Sequence, residues 1–457
     1  MAKVSTTSKR TDDGCSHGIC ESAKRVLREQ ISCDDIGRIQ SGHRHSVAWC
    51  VINPRSCRYR RLHRWIETVG KAGTIEKGTV VVTDGKIVDV GKDVTIPDTA
   101  KIIDVSGQTI IPGLVEIYHA VSIGGTTSTP STRLVTINGR TFRVGSRTST
   151  SSTSFMRIVD NLDPLTLKSD LRRLSRVGIG FAHLVTRGYG QSVHVNIDPG
   201  DPESIVQSGD GYLYLALTNS TTSLNVLRSG LGTSSSRRST SRSAALAAIR
   251  SRTGSTTTST STRRPKTSSS SSSPTTALWK DIREGRKPLM INVNNAATIL
   301  HVIEILKKQE KVRVVLITTG GHAYQAFAAL KEQKNLSIVI RPAIDTIPFS
   351  RNRVNVAKML HDAKIKFGFT VSSSSDVTGA PDTPFFPLAM LVKTGLPRGV
   401  ALTAVTLTPA SLLGLDKTLG SIEKGKLANM SFVDGDPLDP SSQIQQVLVE
   451  GKITHEN

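Results

Sequence analysis

The chain has 457 residues, room for two or three ordinary domains around a sizeable core. Its net charge of +22 would suit a nucleic-acid partner, but residues 1–66, 121–159 and 211–280 carry the whole excess and the remainder is neutral. One basic recognition domain is therefore excluded, and a neutral body with basic additions is expected.

Residues 1–66 mix Arg, Cys and His without a sustained period and read as a disordered tail. All five cysteines, Cys15, Cys20, Cys33, Cys50 and Cys57, lie in it, so no intrachain disulfide can staple the body. No CxxC pair accompanies His17, His43 and His45, which argues against a zinc module there. The N-terminus has no apolar signal region, and no run of about 18 apolar residues occurs, so a soluble, cytoplasmic protein without a membrane partner is expected.

Order is expected from Thr79. Val80, Val82, Ile87, Val88 and Val90 flank Asp84-Gly85, a strong short hairpin signal, and a third strand is predicted over 101–105. Residues 121–159 form a basic, low-complexity insert with room for a hairpin around Asn138-Gly139. Residues 231–275 hold eight cations, no acid and no aromatic residue. That insert cannot offset its ordering entropy, and without aromatics it supports weak polyanion attraction at most.

From Leu289 the pattern changes. The apolar run 289–293 precedes Ile299, Val302, Ile303 and Leu306 at helical spacing, with Asn295 as the predicted N-cap. Strands over 312–317, 336–340 and 365–371, with helices after Gly320-Gly321 and over 352–363, continue the alternation at a βα period of roughly 25 residues. Thr408-Pro409 starts a short helix that Gly414 ends. Phe432-Val433 and Val447-Leu448-Val449, followed by Glu450-Gly451-Lys452-Ile453, return to β hairpins. An α/β body is thus bracketed by strands from both termini, which must meet to cover their edges.

Two blocks of residues carry a family resemblance. Residues 78–87, Ile103-Asp104-Val105-Ser106-Gly107 and Ile111-Pro112-Gly113-Leu114-Val115 form the first, and residues 401–410, 414–415, 419–426 and Asp434-Gly435-Asp436-Pro437-Leu438 the second. Together they resemble the amidohydrolase superfamily, the imidazolonepropionase- and dihydroorotase-like metal-dependent hydrolases. The resemblance implies a (β/α)8 TIM-like barrel over 112–417 and a composite β-sandwich from 67–111 plus 418–457. It also implies hydrolysis of non-peptide, cyclic amide-type carbon–nitrogen bonds by a divalent metal, zinc foremost, whose bound water is activated beside a carboxylate.

The ligands this implies are missing or displaced. Where a His-x-His pair should close the first strand, Tyr118 and Ala120 stand, and His119 falls between them. Only Asn292 and Asn294 are polar in the fifth strand, and the sixth has no histidine. Four serines precede Asp376, which stands displaced from the eighth-strand aspartate position. His119 is the surviving metal-ligand candidate, Asp376 the candidate general base, and Tyr118 and His322 the candidate substrate-binding residues. Each has a plainer reading: helix packing for His119, space-filling for Tyr118, and loop residues for His322 and Asp376. His183 and His194 read as strand or loop residues with no assigned role. The functional expectation is a C–N hydrolase with a degraded metal site acting on a small molecule. The alternatives are an inactive ligand-binding scaffold and a protein that meets polyanions through its inserts.

Overall fold

A computed structural model describes residues 49–52, 65–105, 107–121, 131–137, 140–146, 155–162, 164–186, 188–197, 206–208, 211–218, 220–233, 274–318, 321–347, 350–371 and 384–457. Most of the 231–275 insert lies outside these residues, as do His17, His43, His45 and Asp376.

Eight strands form the frame of the central body. We label them β1 (Leu114–Ala120), β2 (Ile179–Val185), β3 (Val193–Asn196), β4 (Leu213–Leu217), β5 (Leu289–Val293), β6 (Val314–Ile317), β7 (Leu336–Ile340) and β8 (Phe367–Phe369). β4 to β8 pair in chain order, every neighbour parallel, and β1 pairs parallel with β2. β3 runs antiparallel to β2, and the strand Tyr189–Gln191 runs antiparallel to β4. The chain thus changes sheets within a few residues, at Ser192. The result is a barrel-like α/β fold in two mixed sheets, with no strand ladder closing β8 onto β1 among the described residues.

The strands are buried on both faces, as parallel strands under helices must be. One side chain of each alternation packs outward under the helices: Leu213, Leu215 and Leu217 on β4, Leu289, Ile291 and Val293 on β5. The other side packs inward, where Val115, Phe181, Tyr214, Met290, Val315 and Val339 meet. Each fully buried aliphatic residue there contributes about 1.5–3 kcal/mol. The polar residues among them, which forfeit that gain, are the ones to explain.

Several local expectations are met. Asp84 and Gly85 both take positive φ, 50° and 74°, joining Thr79–Thr83 to Lys86–Gly91 in a two-residue turn. Glu450 and Gly451 repeat it at 49° and 77° between Ile444–Val449 and Lys452–Glu456. Ser131–Ile137 pairs antiparallel with Arg140–Ser146, with Ile137 opposite Arg140, at the expected hairpin. Asn295 caps the helix Ala296–Leu306 by accepting a hydrogen bond from Thr298 N at 2.8 Å. Replacing it with alanine is expected to cost about 1 kcal/mol, read as a lower urea midpoint at unchanged slope.

Other stretches differ from the pattern. Trp49–Ile52, in the stretch read as a tail, lies between Thr79–Thr83 and Lys101–Ile103 in a four-stranded sheet. Trp65–Glu67 is likewise a strand, three residues long and so too short to show a period. The helix expected over 352–363 is confined to Val356–Asp362, because Arg353–Val354 pairs with Asp345–Thr346 and Asn355 is the N-cap. The helix after Gly321 is broken into His322–Gln325 and Phe327–Lys331 at Ala326.

Strands from both ends of the chain share a six-stranded sheet. Gln108–Pro112 pairs antiparallel with Met430–Asp434, and Trp65–Glu67 joins on the other side of Gln108–Pro112. Arg398, at the start of the helix Arg398–Thr403, fastens this sheet to the body. Its guanidinium lies 2.7 Å from Asp436 Oδ1 and 3.1 Å from Glu67 Oε1, one carboxylate from each end of the chain. No helix among the described residues is long and apolar enough to cross a membrane.

Candidate functional site at the strand ends

In parallel α/β folds the carboxyl ends of the strands are where ligands meet side chains. What β1 presents there depends on a bulge. Glu116 pairs with Ala182 and His119 with Leu184, so three steps on β1 oppose two on β2. The extra residue reverses the alternation. Val115 and Ile117 face the interior before the bulge, and Tyr118 and Ala120 pack against the same inner cluster after it.

Tyr118 meets two neighbours. Asn292 Nδ2 on β5 donates to Tyr118 Oη at 2.7 Å, and the Tyr118 ring lies 6.1 Å from that of Tyr214 on β4. Tyr214 is 1% exposed and Asn292 7%. Neither Tyr214 Oη nor Asn292 Oδ1 has a well-formed hydrogen bond among the described residues. Burial holds the Tyr214 phenol well above its usual pKa, and Tyr118 beside it adds to the rise. The phenol is therefore a neutral donor at physiological pH. Because Tyr118 Oη accepts from Asn292, its own proton can point elsewhere. The three side chains offer two O–H donors and one carbonyl acceptor.

His119 faces the other way. Its side chain is 1% exposed, and Nε2 lies 3.8 Å from Asp170 Oδ2 on the helix Pro164–Arg176. The neighbouring His119 lowers the Asp170 pKa against desolvation, with smaller help from Arg173. The imidazole sits in the helix layer, away from Tyr118 and Asn292. His322 opens the four-residue helix after β6, next to the β7 loop. There burial raises the Asp345 carboxyl, while Arg341 and His322 pull it back. The sequence-read residues are thus spread over three places: Tyr118 at the mouth, His119 beneath a helix and His322 beside Asp345. Asp376 lies outside the described residues.

Reading the sequence missed the partners Tyr214 and Asn292 make for Tyr118, and a second polar group inside the body. His183 on β2 is fully buried, with Nδ1 2.9 Å from Ile117 O and Nε2 2.5 Å from Ser192 Oγ. His194 on β3 stands opposite it, the rings 5.1 Å apart, and Tyr212 lies 5.2 Å from His194. Burial, reinforced by the neighbouring His194, pushes His183 down to about 3. Burial and then the charge of Lys287 push His194 down to about 4. Both rings are neutral, so the His183 proton is on Nδ1, where only a carbonyl can receive it, and Nε2 accepts from Ser192. The signal in sequence was a histidine in each of two adjacent strands, meaningless until the pairing is known.

The divalent metal that the family resemblance implies needs imidazole or carboxylate donors at the mouth. Among the described residues no group of three or more His, Cys, Asp or Glu converges. The groups that do converge are two phenols and an amide, poor ligands for zinc, and they do not fit the ion. Replacing Tyr118 and Ala120 together with histidine is expected to leave metal uptake at background. Among the described residues the other strands offer the pair no His, Cys, Asp or Glu cluster to join, and tight stoichiometric uptake in metal analysis would contradict this placement.

Comparison with known proteins bears on the carboxyl-terminal part most directly. Residues 292–455 match the Amidohydrolase family. No curated protein matches the chain in sequence. In fold, a solved amidohydrolase from Thermotoga maritima MSB8 covers 89% of this chain and 100% of its own, with a TM-score of 0.62 at 18% identity. Weaker likenesses include a beta-aspartyl dipeptidase from Fervidobacterium islandicum AW-1, at 14% identity over 90% of this chain and 97% of that one, TM-score 0.49. E. coli guanine deaminase stands at 16% over 90% of this chain and 100% of its own, TM-score 0.45. The second of the two sequence blocks thus falls within residues that match the Amidohydrolase family, in a chain that shares the fold of a solved amidohydrolase.

Proposed function

We propose that the strand-end mouth binds a small neutral molecule carrying an amide-type C–N group, and holds it by hydrogen bonds without a metal. The observation that carries this is the buried cluster of Tyr118, Tyr214 and Asn292, in which Tyr214 Oη and Asn292 Oδ1 have no well-formed hydrogen bond among the described residues. A buried polar atom left unpaired costs about 1–3 kcal/mol, so a ligand that satisfies both is favoured. An amide whose carbonyl and N–H lie on one edge, as in a lactam, presents the complementary acceptor and donor. The phenol hydroxyls orient such a carbonyl but supply no base to activate water, so this reading is of a binding scaffold.

A second reading, hydrolysis of C–N bonds, is favoured by the family match over residues 292–455. It requires ligands from outside the described residues, Asp376 first among them as general base. His119 as a ligand would further require β1 to lose its bulge. Both readings share a finer view of the fold, in which the two mixed sheets form one eight-stranded cylinder beside a composite sandwich of 67–111 and 418–457. Supporting the closure, Val115 N and Phe369 N donate to Val405 O and Ala404 O, so that one short segment serves both edges.

The test uses the full chain and two measurements. Metal analysis of the purified protein separates the readings: stoichiometric zinc, manganese or iron supports hydrolysis, and its absence the scaffold. Calorimetry with 2-piperidone and its N-methyl derivative probes the mouth. The lactam should bind, and Asn292→Leu or the N-methyl group should weaken binding about tenfold, the loss of one buried hydrogen bond. Equal affinity for both compounds in both proteins would sink the amide-edge reading.

A further inference from the structure

The bulge in β1 is pinned from both sides. Tyr118 N, turned out of the ladder, donates to Glu116 Oε1 at 2.7 Å. Ile117 O faces His183 Nδ1 at 2.9 Å. A bulge leaves its extra residue's backbone groups without ladder partners, and buried ones must find others. Here side chains two residues upstream and on the adjacent strand supply them. Glu116 is itself fully buried, and its carboxylate also accepts from Thr370 Oγ1 at 2.7 Å and from Val371 N at 2.8 Å, past the end of β8.

The geometry matters because of what each register shows. In an unbroken strand, residues 115, 117 and 119 would share the inner face, and Tyr118 would lie under the helices. With the bulge, Tyr118 faces Asn292 and Tyr214 while His119 is beside Asp170. The choice between a phenol and an imidazole at the mouth is therefore made at the backbone of Ile117–Tyr118.

We infer that Glu116 and His183 are positioning residues: by holding the two orphaned backbone groups of the β1 bulge, they aim Tyr118, and not His119, at the strand-end mouth. This deepens the reading of Tyr118 as a ligand-facing group. Its readout is taken on protein without ligand, so its failure and the failure of ligand binding are told apart.

The experiment is fluorine NMR on the full chain labelled with 3-fluorotyrosine. The sequence has six tyrosines, and the resonance lost in Tyr118→Phe assigns Tyr118. In Glu116→Gln the amide N–H2 opposes the donors that the carboxylate accepted. The Tyr118 resonance should shift or broaden while that of Tyr324, on the helix after β6, stays in place. Glu116→Asp, which keeps the charge and acceptors, should restore much of the wild-type position. Should Glu116→Gln fail to fold, His183→Leu against His183→Gln carries the same test, since only glutamine retains an N–H for Ile117 O. A Tyr118 resonance unmoved in Glu116→Gln, or in His183→Leu, would overturn the inference, even with a lowered melting temperature, because the carboxylate or the ring would then serve only stability.

Discussion

Acidification from pH 6.5 to pH 5 is expected to cost this protein about 3 kcal/mol of stability through His183 and His194. The sign is set by where protons bind. Above the ordinary histidine pKa of about 6.5 both rings are neutral, folded or unfolded, and nothing depends on pH. Below it the unfolded chain takes up two protons. The folded chain refuses them, because burial holds His183 down to about 3 and His194 to about 4. The slope approaches two protons per molecule, about 2.7 kcal/mol per pH unit, in the window between the unfolded and folded values. Urea denaturation across pH 7.5 to 5 measures it. The double variant His183→Gln, His194→Gln should flatten the slope in that window, leaving carboxylates such as Asp170 to act below about pH 4. An equally steep slope in the double variant would mean that the rings are not excluded from water as described.

Gly211→Ala should be the most damaging glycine-to-alanine change among the described residues. A Cβ on Gly211 would lie 1.9 Å from Ser192 O and 2.3 Å from Ser192 C, both backbone atoms that cannot rotate away. The approach is close because the chain crosses between its two sheets there, with Ser192 N donating to Tyr212 O at 3.0 Å and Tyr212 N to Ser192 Oγ at 2.8 Å. Relief requires opening that crossing, which also carries the Ser192 hydroxyl that serves His183. The expected cost is about 3 kcal/mol or more, at the upper end for overpacking, read from urea midpoints against wild type. Gly73→Ala, where a Cβ meets nothing within 4 Å but φ is +62°, separates space from backbone strain and should cost about 1 kcal/mol.

The parts of the fold written in local chemistry were legible. Asp84-Gly85 announced a turn needing positive φ, and Asn295 announced a helix start; both effects act within four residues. The inward alternation of Tyr118 and Ala120 was readable only by analogy with the family, because the bulge that produces it depends on Glu116 reaching residues more than 250 positions away. His194 illustrates the limit best. Val193, His194 and Val195 alternate as a half-exposed strand would, with the polar residue outward. In fact both faces are covered, since β3 lies across β2 and the interior lies behind it. Tyr214 and Asn292 were likewise invisible as a pair, because strand order, not spacing, brings β4 beside β5 and both opposite β1.

The six-stranded sheet makes one demand on biosynthesis. Thr109 Oγ1 donates to Gly435 O across 326 residues of sequence, and the strand containing Thr109 has its full set of neighbours only once Met430–Asp434 exists. At ribosomal speeds of about 5–20 residues per second, that edge waits on the order of tens of seconds after it is made. During translation the amino-terminal strands are open pairing surfaces with Val80, Val82 and Ile110 uncovered, a natural target for holding chaperones. A transcript cut short before its last strands should therefore yield aggregate, not a smaller folded protein.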